Sequence, residues 1–442
     1  MTPTLLRIYR NRFSQYFVFR LLKEFFVVAY RGVYRLYSQF AQHTQSGRYK
    51  FISLREFVAG VSLNTITVDP GESIEIPPAV FSGFGSEIAS QENGAIKIDA
   101  PMLKVYEFPA AMAVGGVEFI FHNQMAIHHD LFNPSQHNCP AENLGVVSLS
   151  PVTNELELCL TKKAKRISAA ATLIGQCSGN YAHWLTETLP KLPLLDSCGQ
   201  FSDLPLLVDD GLHPNIYESI HLLNRNHRGI IKVKRWEPLL LDRLVTVSQP
   251  GYERYIPHDI SSKAQPAYVN IFSRTALRLL RDTARLPIGG FSQQHPRRIY
   301  LSRNEKSGNL RQIENSSEIE STMGTYGVEV IRPDTMTFLG QVAACINAET
   351  LVGPIGASMA NMIFAPPGCK VIVLAPYYDE ASYFYYSNLA GVLGHKLRYV
   401  LGPQLNRSAH PIHRNYYIKV DMLTAVLEQI SDPMPAVLGL QE

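Results

Sequence analysis

The order of apolar and polar residues divides the chain into three stretches with different rhythms. Residues 5–40 carry apolar side chains at helical spacing, with arginines on another face, which predicts one amphipathic helix. Residues 51–165 contain short β-branched or alternating runs separated by glycine, proline and asparagine, which is typical of strands joined by turns. From about residue 166, apolar runs alternate with helical patterns, and this alternation predicts parallel sheets with crossover helices.

A second break lies at 250–266, where prolines and a glycine interrupt the pattern and predict a linker. A length of 442 residues also suggests more than one domain. We therefore predict an N-terminal domain at 51–265, β-rich to about residue 165 and α/β thereafter. A C-terminal α/β domain follows at 266–442, and its final helix, at 421–431, could pack back onto the first domain. A basic helical segment at 1–50 precedes both.

Composition narrows the class of protein. With 46% apolar and 18% charged residues, the chain fits a soluble globular protein. A net charge of only +3 excludes a general polyanion binder, so we expect no nucleic-acid partner. The six cysteines form no C-x-x-C pair, which suits a reducing compartment. We see neither a secretory signal nor an apolar run near the ~20 residues that span a bilayer, and so expect a cytoplasmic chain.

Positive charge is concentrated at the N-terminus. Residues 1–50 hold nine lysines and arginines but a single acid, Glu24. A helix of this kind can lie in a membrane interface, with its arginines on anionic lipid, which would place the protein peripherally on the inner face of the plasma membrane through residues 5–40. A helix docked on its own protein, with solvated arginines, explains the same pattern.

Two neighbouring patterns in the C-terminal stretch could bind phosphate. The hexapeptide Gly-Pro-Ile-Gly-Ala-Ser at 353–358 follows an apolar strand and opens a predicted helix at 357–364. Its glycines would let backbone amides approach an anion at a helix N-terminus, although an ordinary tight turn has the same composition. Upstream, a predicted strand ends at Ser302 and Arg303, with Arg311 beyond it. Guanidinium groups there could clamp a phosphate, or could be solvated in a basic loop.

The N-terminal stretch offers a candidate base. His183 and Glu187 are four residues apart, so on a helix they share a face and can act as base and orienting partner. Trp184 could stack on a sugar ring; alternatively, it belongs to the core and His183 caps the helix. The group His122, His128, His129 and Asp130 has metal-ligand chemistry without helical metal-site spacing, which favours a surface loop. No D-x-D pair occurs, and we expect no metal or other cofactor.

These motifs, in this order, resemble glycosyltransferase family 61, which includes capsular polysaccharide biosynthesis enzymes. The first signature is matched by Asn180, His183, Trp184, Glu187, Leu189 and Pro190. The second, a strand ending in Ser-Arg before a basic segment, is matched by Ser302, Arg303 and Arg311. The third is matched by Gly353, Gly356, Ala357, Asn361, Phe364, Pro367 and Gly368. The chain departs from the family at Ile355, where a histidine is usual.

The resemblance implies a GT-B-like α/β fold, in which two Rossmann-like domains face a cleft. It also implies metal-independent transfer with inversion, from a nucleotide sugar to an oligosaccharide or lipid-linked glycan, in cell-surface polysaccharide synthesis. The first domain would take the acceptor, with Glu187 or His183 as base. The donor would be held in the second domain by Arg303, Ser302, Arg311, Gly356, Ala357, Ser358 and Asn361. A catalytically inactive sugar or nucleotide binder and a membrane-associated scaffold are the alternatives.

Overall fold

The computed structural model describes residues 46–134, 146–150, 152–253, 270–288, 296–304, 311–379, 381–405 and 411–430, together with Ala29, Gly32 and Val33. The predicted basic helix at 5–40 lies almost wholly outside these residues, as does most of the predicted linker at 250–266. Within the described residues, every helix is too short or too polar to cross a bilayer.

The helices and strands can be given in chain order. The strands are β1 Gly47–Ser53, β2 Asn64–Asp69, β3 Ser73–Ile76, β4 Val80–Gly83, β5 Ile96–Asp99, β6 Leu103–Val114, β7 Val117–His122, β8 Met125–His128, β9 Val147–Ser150, β10 Glu155–Leu158, β11 Lys165–Thr172, β12 Leu206–Asp209, β13 Ile230–Val233, β14 Pro238–Val247, β15 Gly251–Glu253, β16 Asn270–Phe272, β17 Arg298–Leu301, β18 Glu329–Ile331, β19 Thr350–Pro354, β20 Lys370–Tyr377 and β21 Lys396–Pro403. The α-helices are α1 Leu54–Gly60, α2 Ser86–Glu92, α3 Tyr181–His183, α4 Lys191–Asp196, α5 Pro214–Leu223, α6 Arg274–Arg285, α7 Ser316–Thr325, α8 Phe338–Cys345, α9 Phe384–Leu393 and α10 Val420–Ile430. A π-helical turn, Trp184–Thr188, continues α3, and 3-10 helices lie at Gly199–Phe201, Pro333–Thr335, Ala357–Phe364 and Pro411–His413.

Several helices begin where a side chain can satisfy a free backbone N–H. Ser53, Ser273 and Thr337 each accept a hydrogen bond from an amide in the first turn of α1, α6 and α8. His213 does the same for α5, whose first residue is a proline. Helix α9 ends at Gly394, which adopts a left-handed conformation with φ 74°. These caps explain why the helix boundaries follow the polar and glycine residues of the sequence.

The larger sheet combines a parallel and an antiparallel part. Its strand order is β13-β12-β11-β14-β6-β7-β8-β1-β10-β9, with β2 also paired to β6. The strands β13, β12, β11 and β14 are parallel, whereas β14 pairs antiparallel with β6, and β6 with β7. The predicted change of rhythm near residue 166 therefore marks the first strand of the parallel part.

The smaller sheet is parallel throughout, in the order β18-β17-β19-β20-β21-β4. Its central strand β19 is buried along its whole length, as expected for a sheet covered on both faces. Its edge strand β4 comes from the N-terminal part of the chain and pairs with β21. This pairing could not be read from the sequence, because it joins segments about three hundred residues apart.

One apolar core lies between the two sheets. We call the residues up to Glu253 the first half of the molecule and those from Asn270 onward the second half. The core contains Trp184 and Leu206 from the first half and Leu277, Leu351 and Phe364 from the second. A separate cluster covers the outer face of the smaller sheet, where Leu423 of α10 packs with Ile319 and Val352. The final helix thus packs on the smaller sheet, where it also contacts β4, the strand that comes from the predicted N-terminal domain. The α/β class is confirmed.

Candidate functional site

A histidine between two glutamates forms the centre of the candidate site. His183 Nδ1 lies 2.9 Å from Glu187 Oε1, and its Nε2 lies 3.2 Å from Glu253 Oε2. The Glu187 carboxylate also accepts a hydrogen bond of 2.8 Å from the backbone N–H of Glu253. Each ring nitrogen of His183 therefore faces a carboxylate, and the two glutamates are tied to each other through the backbone.

The helical turn that carries His183 is fixed from both sides. Asn180 caps it by accepting a hydrogen bond from Ala182 N–H, and Trp184 enters the core, where its indole N–H donates to Ser219 over 2.9 Å. The chain then widens into the π-helical turn, closed by a 2.7 Å hydrogen bond from Leu189 N–H to Trp184 O. Single π-helical turns of this type occur frequently at functional sites. With Trp184 pointing inward, the His183 side chain is left to face Glu253.

The loop before this turn is anchored by a buried carboxylate. Asp209, the last residue of β12, accepts hydrogen bonds from Ser178 Oγ at 2.6 Å and from the backbone N–H groups of Gly175 and Gly116. Burial raises the pKa of Asp209, while these three donors oppose the rise. The C-terminal end of a parallel strand thus positions the loop that leads to His183, as is usual for sites in open α/β sheets.

Glu253 reaches the site because β15 passes very close to the π-helical turn. A Cβ added to Gly251 would lie 2.6 Å from Thr186 O and 2.9 Å from a ring carbon of Phe272. Only glycine fits there, since a methyl group needs more than 3 Å from either atom. A glycine inside the predicted linker therefore makes the close contact that brings a second glutamate to His183.

The surroundings of His183 favour the protonated form of its imidazole. Burial alone would lower its pKa, but the charges of Glu187 and Glu253 and the hydrogen bond to Glu187 together raise it to about 10. An imidazolium has no lone pair with which to accept a proton. Each ring nitrogen of His183 faces a carboxylate, which favours a positioning role for the ring; its role as the base stays a prediction.

The two glutamates differ in exposure. The Glu187 side chain is 7% exposed and its Oε1 already accepts two hydrogen bonds, whereas the Glu253 side chain is 38% exposed. The protein atoms around the Glu253 carboxyl group raise its pKa, and His183 and Arg311 act in the opposite direction. Glu253 is thus the carboxylate of this group that a substrate can reach.

The second half contributes two arginines. Arg303 follows β17, and its Nη1 donates to the carbonyl of Ile355 over 3.3 Å. A Cβ on Gly356 would lie 3.3 Å from the same Nη1, so this glycine leaves room for the guanidinium group. Burial and the nearby charge of Arg311 lower the pKa of Arg303. Two guanidinium groups that repel each other form a region that a diphosphate would neutralise.

Helix α9 connects the arginines to the glutamates. Tyr386 donates a 2.7 Å hydrogen bond to the carbonyl of Gly356, and burial raises its pKa to about 12. Arg311, Glu253 and Arg303 all act on the Tyr386 hydroxyl, which places it between the two groups. The Nε of Arg311 is buried and has no hydrogen-bond partner among the described residues. The candidate site therefore lies between the two halves of the molecule.

Three of the predicted site residues make contacts within the protein: Trp184, Asn361 and Ser302. Trp184 is fully buried, which contradicts its stacking on a sugar. Asn361 is also fully buried and bridges the halves, accepting from Tyr181 OH and donating to Gln341, each over 2.9 Å. The Ser302 hydroxyl donates to Glu320 over 2.5 Å. These contacts leave no polar atom of Trp184 and no side-chain surface of Asn361 for a donor.

The remaining predicted residues lie at the start of a 3-10 helix. Ala357 is exposed, and Gly356 and Ser358 are partly exposed, directly after β19. The predicted α-helix at 357–364 is therefore a 3-10 helix. The Ile355 side chain packs against the apolar core between the two sheets, and its carbonyl oxygen accepts the hydrogen bond from Arg303. This short turn still begins beside Arg303, whose guanidinium group lies next to Gly356.

The histidines assigned to a surface loop are not on the surface. His122 and His128 are 8% and 3% exposed, and only Asp130 of the predicted group is fully exposed. His128 and His129 lie beside Glu118 of β7, with one ligand atom from each residue within 4.8 Å of the others. Burial raises the pKa of Glu118 to about 7, and the neighbouring Lys191 opposes that rise. The surface-loop assignment is wrong for His122 and His128.

Glu253 and Tyr386 are the residues of this site that the sequence did not reveal. Glu253 sits two residues after Gly251, in a segment that its proline and glycine content made look like a linker. Tyr386 belongs to an aromatic run without motif character. For Glu253, the available signal was an acidic residue two positions after a glycine, and for Tyr386 it was an aromatic run. Both patterns are too common in sequences to identify a site.

Comparison with models of known protein families identifies a family that this part of the chain resembles. Residues 181–372 match the family model described as Glycosyltransferase 61. The match begins at Tyr181, beside His183, and includes Glu253, Arg303, Arg311 and the turn after β19. No curated protein matches the chain significantly.

Proposed function

Because its glycosyltransferase 61 domain makes the chain a glycosyltransferase, we propose that it moves a sugar from a nucleotide sugar to a glycan acceptor with inversion. The observation that carries this proposal is the accessible carboxylate of Glu253, held by a protonated histidine and separated by one tyrosine from two arginines. A base and an anion site close to each other are the two parts that such a transfer requires.

The donor diphosphate is proposed to lie on the second half. Arg303 and Arg311 supply the positive charge, and the amides at 356–358 lie on the same side, at the C-terminal edge of a parallel sheet. The buried Nε of Arg311 supplies a donor with no other partner among the described residues. Cationic side chains at this position take the part that a divalent ion plays elsewhere, so we infer that the leaving group needs no metal.

Glu253 is proposed as the base that acts on the acceptor. Its carboxylate takes the proton of an acceptor hydroxyl while that oxygen attacks the anomeric carbon of the donor. The bond from the anomeric carbon to the diphosphate oxygen breaks, and the nucleoside diphosphate leaves with the electron pair. A single displacement of this kind inverts the anomeric centre. Glu187 and His183 act as positioning residues that hold Glu253 through its backbone N–H and its carboxylate.

The resemblance to glycosyltransferase family 61 also suggests a cellular role. We infer that the acceptor is an oligosaccharide or lipid-linked glycan in cell-surface polysaccharide synthesis. A cytoplasmic enzyme at the inner face of the plasma membrane would meet both the soluble donor and such an acceptor, and the basic segment at 1–50 supplies an attraction to anionic lipid.

One observation favours a second candidate function. Ile355 replaces the histidine usual in the family, and its side chain packs against the core, so it offers the donor no ring nitrogen. A chain that binds the donor without transferring its sugar would follow if that histidine were needed for chemistry. The arrangement of Glu253, His183 and Glu187 favours transfer, because a mere binder has no use for a base.

A thermal-shift screen of the full chain against nucleotide sugars, followed by transfer assays on each stabilising compound, tests the proposal. Glu253→Gln should keep the donor-dependent shift and slow transfer by roughly 10²–10⁴-fold, because only the base is lost. Arg303→Ala should lose most of the shift and slow transfer by about 10²–10³-fold.

Exposed positions provide matched controls. Glu75→Gln and Arg166→Ala remove the same groups from solvated surface and should leave transfer unchanged. Saturable donor binding without nucleotide release from the unaltered chain would identify a binder. Transfer at the unaltered rate in both Glu253→Gln and Arg303→Ala would show that the site is assigned wrongly.

A further inference from the structure

A buried group of metal-ligand side chains lies outside the residues used above. Glu118 lies on β7, His128 is the last residue of the adjacent antiparallel strand β8, and His129 directly follows that strand. One ligand atom from each of the three lies within 4.8 Å of the other two, and His128 Nε2 is 4.0 Å from Glu118 Oε2. Because β7 and β8 are paired neighbours in one sheet, the separation between these ligands is set by rigid elements.

We propose that Glu118, His128 and His129 bind a zinc ion beside strands β7 and β8 of the larger sheet. Two imidazoles and one carboxylate are a ligand set that zinc uses in proteins, with a water molecule as the fourth ligand. Zinc bonds of about 2.0–2.2 Å require the three ligand atoms to move closer by roughly an ångström. Side-chain rotation supplies such a movement without a change in the backbone.

The space for the ion is present. A cavity of about 40 Å³ is bounded by the three ligands together with Lys191, Thr246 and Gln249. A buried water needs roughly 10–15 Å³ by this measure, so the cavity holds an ion and a coordinated water. Gln249 is 3% exposed, and its amide nitrogen is buried without a hydrogen-bond partner among the described residues. A zinc-bound water would accept a hydrogen bond from that amide.

Aromatic contacts hold both imidazoles in place. The His128 ring packs edge-on against Phe119 at 4.6 Å, and the His129 ring packs against Tyr252 at 4.7 Å. Tyr252 precedes Glu253 in β15, so an ion on His129 would also steady the strand that carries the proposed base. The zinc is thus a structural ion, separate from the arginines proposed for the donor, and its presence does not depend on the transfer reaction.

Metal analysis of the full chain tests this proposal. After removal of metal by a chelator, the chain is titrated with zinc, and bound zinc is measured by elemental analysis together with the thermal midpoint. We expect one zinc per chain and a rise in the midpoint on binding. Cobalt in place of zinc should give the visible absorption of a four-coordinate site, a readout that does not require activity.

Substitutions locate the site. Glu118→Gln and His129→Gln should each weaken zinc binding by more than the roughly 10–100-fold that loss of an outer-shell partner costs. His221→Gln, at an exposed position of α5, should bind zinc as the unaltered chain does. Less than stoichiometric zinc on the unaltered chain overturns the proposal. So does equal binding by the two ligand variants, and the cobalt spectrum of the unaltered chain decides the matter if those variants fail to fold.

Discussion

The proton on His183 depends on its two carboxylate neighbours. Glu187 and Glu253 each face one ring nitrogen, and Glu118 adds a further negative charge. The group has the character of a buried ion triad, in which removing one member leaves the others uncompensated. The sequence placed His183 beside Glu187 correctly, because four-residue spacing survives in the π-helical turn. It could not reveal the protonation state, which depends on Glu253.

Replacement of His183 should change how stability depends on pH. Its pKa rises from an ordinary 6.5 to about 10 on folding, so its contribution is fully present below pH 6.5 and is lost as the pH rises through about 10. His183→Gln should therefore lower the free energy of unfolding at pH 6.5, by roughly a few kcal/mol at most, and change it little near pH 10.

Urea unfolding across this pH range, compared with the exposed control His221→Gln, measures the effect. Glu187, Glu253 and Glu118 act on His183, and Glu118, whose pKa is about 7, itself loses its proton in this range, so the variant is compared with the unaltered chain at each pH. A stability difference between the variant and the unaltered chain that stays constant from pH 6.5 to 10 would contradict the protonated state.

At the scale of elements, the parallel strands and their helices were predictable, and the site between them only partly. Apolar runs gave β12, β13 and β17–β20, because buried parallel strands are short and uniformly apolar. The motif residues Arg303 and Gly356 lie together as predicted, at neighbouring strand ends. We did not predict strand β15. It brings Glu253 to His183 because Gly251 passes close to the π-helical turn, and no local sequence pattern indicates such an approach.

Gly251→Ala tests that approach directly. A Cβ would meet Thr186 O at 2.6 Å, so β15 should move away from the π-helical turn and carry Glu253 out of register with His183. We expect a loss of about 1–3 kcal/mol in stability, as in other overpacked sites, and a fall in transfer of at least about ten-fold. Gly199→Ala is the matched control, since no atom lies within 4 Å of its added Cβ. Unchanged transfer in Gly251→Ala would argue that Glu253 is not the base.

At the scale of the whole molecule, the two α/β halves share one apolar core and touch through Tyr181, Asn361 and Gln341. The GT-B-like arrangement with an open cleft remains a prediction from the resemblance. The sequence separated the halves at 250–266, since composition changes there, but it gave no sign that β4 belongs to the second sheet. Long-range pairing of that kind depends on the complementarity of two edges rather than on either segment alone.

Membrane association is the prediction that belongs to this scale. Full-length chain should sediment with vesicles that contain anionic lipid, should do so less as salt is raised, and should not sediment with neutral vesicles. Deletion of residues 1–40 should abolish sedimentation, because that segment holds most of the excess positive charge. Retention of the donor-dependent thermal shift in the deleted chain serves as the folding control. Equal and negligible sedimentation of both chains would exclude the peripheral location.

The pairing of β4 with β21 has a consequence for how this protein is made. During synthesis, β4 leaves the ribosome long before its partner strand exists, so it must stay unpaired until nearly the whole chain has been translated. Conversely, a C-terminal fragment made alone would present β21 as a bare edge, with a row of amides and carbonyls open to other chains. The gene thus specifies one folding unit, and neither half can be expected to mature without the other.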